Sequence, residues 1–354
     1  MNEIDKTLRF LLYISKIYSL PVYMPLALYL EKNGFSNRFY LSHKVFENFP
    51  HEWDKTKICN SLKEAKLYNP DFVLVTGNFV DFRIPGIKVQ LFHGLGIEKE
   101  VHYKIRHFFD VYFTSGPYVT ERYIKLQQKT PYFLIRECGW PKIDYILSFP
   151  SSGIKNLNLP PGKKIILYAP TFSTDHQSAT SLVNYIPAAI QEDEFWIVKF
   201  HELMSKEVIN NYKSIDNKKI KVLHNEEITP YLHAADVLIS DTSSVVYEFM
   251  VLDKPIITFQ TKGAKDKGID IENVHQLRPA IDRCFNYPDE YKAMRLKHIH
   301  RVNPYTDGNI SKRIVNELIQ IKNQDLLKLK RKPLNLFRKI QVIYHNTFKK
   351  GYLR

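Results

Sequence analysis

At 354 residues the chain is long enough for two domains with sizeable cores, and its 44% apolar content excludes wholesale disorder. A formal charge of +14 points to anionic partners (nucleic acid, phosphorylated substrates or an anionic membrane face), while the wide spacing of Cys59, Cys138 and Cys284 excludes a disulfide framework and suggests a reducing compartment. The most apolar stretch, Leu8 to Leu30, is interrupted by Arg9, Lys16, Pro21 and Pro25 and precedes no small-residue cleavage site, so neither a membrane span nor a signal peptide is expected and the chain should stay in the cytoplasm.

In chain order, Phe10–Ile14 reads as a first strand. A helix near Val22–Lys32 follows, led in by Pro21 and Pro25 and stopped by Asn33-Gly34. Further strands are predicted at Phe39–Leu41, Asp71–Thr76, Lys88–Phe92 and Val111–Thr114, with a helix from Tyr118 to about Gln127. Ser148–Lys164 is rich in Pro, Gly, Ser and Asn and reads as an interdomain linker. Alternation then restarts, with strands Ile165–Tyr168, Phe195–Phe200 and Lys221–Leu223. Helices are expected near Ser181–Gln191, Ser205–Tyr212 and Thr229–Ala234. Helices near Val274–Cys284, Pro288–His300 and Asn309–Gln324 end the regular part. This pattern predicts an α/β protein of two Rossmann-like parallel-sheet domains facing a cleft, at 1–150 and 151–320, followed by C-terminal helices and a basic tail at 321–354.

The segment from Ala235 to Phe259 organises the second half. Val237–Ile239 is a buried strand, Asp241-Thr242-Ser243-Ser244 a hydroxyl-rich turn, and Val245, Val246, Phe249 and Met250 recur at helical spacing. Pro255 precedes a strand at Ile256–Phe259. A turn after a parallel strand lies at the carboxyl edge of the sheet, where a helix start and hydroxyls suit a phosphate or pyrophosphate. Helix capping by Asp241 or Thr242 explains part of the same cluster. Glu248 lies one helical turn beyond Ser244, within reach of a ribose hydroxyl or facing solvent.

Other loops carry candidate chemistry. His93 ends a strand and precedes Gly94, which permits close approach of a ligand or backbone; its imidazole could take a proton from an acceptor hydroxyl. His201 follows another strand and could donate to a phosphate, and Lys199 two residues earlier could meet the same anion. Thr171 supplies a hydroxyl after the strand ending at Tyr168. No G-x-G-x-x-G follows a strand, no P-loop lysine or G-x-S-x-G elbow is present, and the histidines are scattered. NAD, simple ATPase, acyl-hydrolase and metal-site readings therefore have little support, and no nucleic-acid module is evident. From Ile321 onward ten Lys or Arg face only Asp325, and Leu326, Leu327, Leu329, Leu334, Leu336, Phe337, Ile340, Val342, Ile343 and Phe348 are interspersed with them. Such a basic amphipathic tail suits an anionic membrane surface, or else packs back on the first domain.

Taken together, FHG at Phe92–Gly94, GWPKID at Gly139–Asp144, YAPTF at Tyr168–Phe172, KFH at Lys199–His201, the block Ala235–Phe259 and TDGNISKRI at Thr306–Ile314 resemble the CDP-glycerol glycerophosphotransferases of teichoic acid and capsule synthesis. After His93-Gly94 the family usually continues Thr-Pro and a basic residue, where this chain has Leu95, Gly96, Ile97 and Glu98. The second histidine is usually flanked by Arg and Pro, where this chain has Lys199-Phe200 and Glu202. The resemblance implies a glycosyltransferase-B fold that needs no metal or cofactor. It also implies transfer of glycerol phosphate, or a related polyol phosphate, from CDP-glycerol to a hydroxyl of a lipid-linked or glycan acceptor. It makes His93 the base, sets His201 near the donor phosphates, and makes Thr242, Ser243 and Ser244 the pyrophosphate loop. Gly94, Gly139, Lys142 and Asp144 become candidates for the cleft or acceptor side. The expected location is the inner face of the plasma membrane. The alternatives are a nucleotide-sugar glycosyltransferase or UDP-sugar 2-epimerase on the same fold, and a non-catalytic membrane-bound module with a degenerate nucleotide site.

Overall fold

The computed structural model describes residues 6–51, 53–323 and 331–348. The chain forms two compact units, one made of Met1–Gly94, Glu100–Tyr145 and Val302–Arg354, the other of Leu95–Lys99 and Ile146–Arg301.

The first unit holds six parallel strands, β1 (Arg9–Ile14), β2 (Ser36–Leu41), β3 (Phe72–Val75), β4 (Ile87–Gln90), β5 (Val111–Thr114) and β6 (Leu134–Glu137), in the order β2-β1-β3-β4-β5-β6. Phe10 to Ile14 of β1 are all buried, as a strand covered on both faces requires. The first helix, Leu20–Lys32, begins two residues earlier than predicted, with Pro21 in its first turn, where a missing N–H costs nothing, and Pro25 inside it. It buries Val22, Tyr23, Leu26, Ala27 and Leu30. The Tyr23 hydroxyl donates to the Tyr13 carbonyl at 2.7 Å and accepts the Thr76 N–H at 2.9 Å, tying the ends of β1 and β3. Strand β4 stops at Gln90 rather than at Phe92, because Phe92 turns into the left-handed region at φ 58°. Strand β6 escapes sequence reading: its LIRE segment is half-buried throughout and shows neither alternation nor an apolar run.

The second unit holds β7 (Lys164–Tyr168), β8 (Glu194–Lys199), β9 (Ile220–Leu223), β10 (Val237–Ser240), β11 (Ile256–Phe259) and β12 (Ile269–Ile271), all parallel, in the order β12-β11-β10-β7-β8-β9. Renumbered within the unit, this is the Rossmann order 3-2-1-4-5-6, whose switch point falls between β7 and β10. Ile166, Tyr168, Trp196, Val198, Val237, Ile239 and Ile257 share its core with the helix Leu277–Asn286. The single helix predicted near Ser181–Gln191 is two short ones, Ala179–Leu182 and Ile186–Ala189, because Pro187 cannot continue a helix and starts the second. The linker Ser148–Lys164 contains a short helix, Ser151–Lys155, and lies within this unit.

The division of the chain differs from the predicted one. Residues 302–320 belong to the first unit, not to the second, and so does the tail. The cause is a set of short contacts within the first unit. The helix Ile310–Asn323 buries Ile310, Ile314, Val315, Leu318 and Ile321 and packs on the helix Leu20–Lys32. Asp144 caps it, its carboxylate accepting the Ile310 N–H at 3.0 Å, the Ser311 N–H at 2.7 Å and the Ser311 hydroxyl at 2.9 Å. The Trp140 N–H donates to Asn303 Oδ1 at 2.8 Å. Gly139, at φ +95°, backs onto Ile310 so closely that a Cβ there would lie 2.8 Å from Ile310 Cγ1.

The tail helix, Leu336–Phe348, also docks on the first unit. Val342 is buried, Asn346 donates to Asp81 at 2.9 Å, and Lys332 pairs with Asp110 at 2.5 Å. Leu326, Leu327 and Leu329 of the predicted amphipathic tail, and residues 349–354, lie outside the described residues. No helix of the described residues is long and apolar enough to cross a membrane.

Replacing Gly139 by Ala combines a disfavoured φ with a clash against Ile310. Denaturant unfolding should show a loss of roughly 2–4 kcal/mol. A loss below the error of the method would contradict this docking geometry.

Candidate functional site

In the second unit, the loops after β7 and β10 meet at the switch point. Asp241, directly after β10, is 1% exposed. One of its carboxylate oxygens accepts the Thr171 N–H at 2.9 Å, and the other accepts both the N–H and the hydroxyl of Ser178 at 2.9 Å. The Ser240 hydroxyl adds a bond to the Ala169 carbonyl at 2.6 Å. Burial pushes the Asp241 carboxyl up to about 6, against the pull of its donors and of the Lys99 ammonium. Asp241 is thus a bracket between two loops rather than a group offered to a ligand, a correction to its predicted role. Thr171 is buried beside it, its backbone committed to the bracket. Thr242 is buried too, its hydroxyl accepting the Lys262 N–H at 3.0 Å and so fixing the loop after β11.

This leaves Ser243 and Ser244, both half-buried, at the opening of the helix Val245–Met250. Ser244 is its N-cap residue in αR geometry and spends no side-chain hydrogen bond on the cap. The helix is thus capped by neither Asp241 nor Thr242, whose side chains bond elsewhere, and the Ser244 hydroxyl stands where the helix begins. Glu248 is 6% exposed, so the solvent-facing alternative is excluded and its carboxylate is enclosed by the fold.

After β8, Lys199 and His201 part company. The Lys199 ammonium donates to the carbonyls of Phe200 at 2.6 Å and His224 at 2.9 Å, joining the ends of β8 and β9, so the structure turns it toward backbone rather than toward an anion. His201 Nδ1 accepts the Leu203 N–H at 3.1 Å, which puts the proton of the neutral ring on Nε2. Its ring packs on Phe172 with centroids 4.5 Å apart. The arrangement gives a fixed imidazole N–H donor just past the end of β8, the strand next to β7.

In the first unit, His93 follows β4. Its Nδ1 lies 3.4 Å from the Thr76 carbonyl, an acceptor only, so Nδ1 carries the proton and Nε2 the basic lone pair. The rings of Tyr18 and His102 stand edge-on, with centroids 5.8 and 5.2 Å away. The turn that aims His93 is Phe92, a bulky residue at φ 58°, a conformation costing about 1–2 kcal/mol. The Trp140 indole N–H holds it by donating to the Phe92 carbonyl at 3.2 Å. Gly94 follows and is the last residue of this stretch of the first unit.

The acceptor-side candidates of the GWPKID motif need correction. Gly139 and Asp144 are consumed in docking residues 302–323, with both Asp144 oxygens taken by N–H and O–H donors. Lys142 is buried, its ammonium 6.0 Å from the Trp140 ring centroid. Sequence reading missed Phe92, Trp140, Phe172 and Ser178; only the aromatic residues inside FHG, GWPKID and YAPTF hinted at three of them. Among the described residues no group of three or more His, Cys, Asp or Glu stands together to hold a metal ion.

Comparison with known proteins bears on both units. The curated teichoic acid glycerol-phosphate primase of Bacillus subtilis (strain 168) is 31% identical over 168 residues, covering 44% of this chain and 43% of the relative. The chain spans less than half the length of the first curated relatives it matches, 43% and 44%. Among solved structures, the wall teichoic acid polymerase TagF superposes with a TM-score of 0.68 at 17% identity, covering 91% of this chain and 90% of the other. A UDP-N-acetylglucosamine 2-epimerase superposes with a TM-score of 0.58 at 16% identity, covering 93% and 98%. At these identities the structural likeness shows the fold, two Rossmann-like units of the glycosyltransferase-B kind. A family model matches residues 99–320, a span that includes His201 and Asp241–Ser244 and leaves out His93. With well over half of its length matched, the chain belongs to the CDP-glycerol:poly(glycerophosphate) glycerophosphotransferase family.

Proposed function

We propose that the chain transfers glycerol phosphate, or a related polyol phosphate, from CDP-glycerol to a hydroxyl of a lipid-linked or polymeric cell-surface glycan acceptor and releases CMP. The observation that carries this reading is the switch-point loop of a family member, with the Ser243 and Ser244 hydroxyls opening a helix and His201 presenting Nε2–H from the neighbouring strand end. In the step, the acceptor oxygen bonds to the phosphorus that bears glycerol. The bond from that phosphorus to the bridging oxygen breaks, and CMP leaves with the electron pair. His93 Nε2 receives the acceptor proton. Donors at Ser243, Ser244 and His201 meet the charge gathering on the departing phosphate. The reading assigns no metal or cofactor.

The tail completes the reading. On the helix Leu336–Phe348 the docked side carries Val342 and Asn346, while Phe337, Ile340 and Tyr344, spaced three and four apart, are 73%, 64% and 53% exposed. Leu334 and Leu336 extend this apolar stripe at 72% and 63% exposure, and Arg331, Lys332, Arg338 and Lys339 lie in the same segment. An apolar face with basic neighbours matches an anionic lipid surface. We assign the chain to the inner face of the plasma membrane on that basis, where a lipid-linked acceptor would be met.

Two outcomes are expected. CMP release from CDP-glycerol, assayed with a lipid-linked acceptor carrying a terminal glycerol phosphate, should fall about 10²- to 10⁴-fold in His93→Ala, with CDP-glycerol binding retained. Wild-type release by that variant would overturn the base assignment. In co-sedimentation with phosphatidylglycerol vesicles, the triple variant Phe337→Glu, Ile340→Glu, Tyr344→Glu should lose most of the wild-type binding; equal partition of the two proteins would refute the membrane assignment.

A further inference from the structure

Directly after His93-Gly94 the chain leaves the first unit, contributes Leu95–Lys99 to the second, and returns at Glu100. Leu95, Gly96 and Ile97 are buried. Glu98 anchors the segment: its Oε1 accepts the Tyr247 hydroxyl at 2.5 Å and lies 3.3 Å from the Lys267 ammonium. The Lys267 side chain is 2% exposed, so this ion pair is fixed inside the unit. Gly263 closes over it, since a Cβ there would lie 2.5 Å from Glu98 Oε1. The Lys99 N–H then donates to the Gly96 carbonyl at 3.0 Å and turns the chain.

This turn delivers Lys99 to the switch-point loops. Its Nζ lies 5.9 Å from the Phe172 ring centroid, and the same ring packs on His201. Neighbouring cations are committed, Lys199 to two carbonyls and Lys267 to Glu98. Lys99 is half-buried, and among the described residues no acceptor lies within hydrogen-bond distance of its ammonium; Asp241 and Glu98 act on it only through space. Burial lowers its pKa below the ordinary lysine range, the mark of a charge short of solvent. A desolvated cation without an acceptor is costly, and an arriving anion offsets that cost.

We propose that the Lys99 ammonium binds the diphosphate of the nucleotide donor at the carboxyl edge of the second sheet, beside His201. The inference rests on the reading of that edge as a nucleotide-diphosphate site, but not on which base the donor carries. Lys99 thereby gives the segment Leu95–Lys99, whose first four residues depart from the family's usual ones, a role in donor binding.

Calorimetric titration of the wild-type chain, Lys99→Met and Lys99→Arg with CDP-glycerol and with UDP tests it. Whichever nucleotide the wild type binds, Lys99→Met should weaken it about tenfold or more, and Lys99→Arg should restore most of the loss. The Met variant keeps an unbranched side chain of similar length and removes only the charge, so its melting temperature without ligand should stay near that of the wild type. Unchanged affinity in Lys99→Met would overturn the proposal while leaving the transferase reading intact. Tight binding of UDP alone, weakened by Lys99→Met, would support Lys99 and sink the CDP-glycerol reading. A melting temperature lowered by Lys99→Met with affinity preserved would make Lys99 a counter-ion of Asp241 and overturn the proposal. Binding of neither nucleotide by the wild type would overturn both.

Discussion

Asp241 gathers the Thr171 N–H, the Ser178 N–H and the Ser178 hydroxyl onto its two carboxylate oxygens from a fully enclosed position. Removing that carboxylate would orphan three buried donors, at about 1–3 kcal/mol each. The bracket decides what the neighbouring residues do. It fixes the loop after β7, which carries Phe172, and it sets the start of the turn that ends in Ser243 and Ser244. Phe172 in turn meets His201 and Lys99. One buried acid therefore underlies the turn that bears the serines and the loop whose ring His201 packs on, while Lys99 is held separately through Glu98 and Lys267.

The first unit repeats the device. Asp144 takes three donors from the start of the helix Ile310–Asn323, and Gly139 removes the Cβ that would block Ile310. GWPKID and TDGNISKRI, more than 160 residues apart, are two sides of one contact. Their joint presence reflects how the chain closes its first unit. The same motif aims His93: Trp140 donates to the carbonyl of the strained Phe92, and Phe92 turns His93 off the end of β4.

Much of this is legible in the amino-acid sequence. Apolar runs such as Phe10–Ile14 and Val237–Ile239 announce buried parallel strands, and residues just after such strands, His93, His201 and Ser243-Ser244, fall at ligand-binding edges for topological reasons. Direction is not legible there. Asp241, Thr242 and Lys199 carry the right chemistry at the right edge, yet their side-chain polar groups turn inward to pair loops, and only the fold reveals which way they turn. Lys99 and the true extent of the units are hidden for a different reason. The excursion Leu95–Lys99 and the return at Val302 are tertiary choices, fixed by Glu98 with Lys267 and by Asp144 with Ser311, pairs remote in sequence. Strand β6 and the break at Pro187 are lost at the local level, where a half-buried edge strand has no period and one proline halves a helix.

The central claim is that the switch-point edge of the second unit binds a cytidine diphosphate donor. Ligand-dependent melting with CDP-glycerol, CDP-ribitol, CMP, UDP-N-acetylglucosamine and UDP tests it most directly. A ligand at 100 times its Kd adds about 2.7 kcal/mol, a shift of a few degrees for a protein of this size. Stabilisation by the cytidine compounds, with none from the uridine compounds, is the predicted result. Stabilisation by the uridine compounds alone would contradict the account and make the chain a sugar-nucleotide enzyme on the same fold.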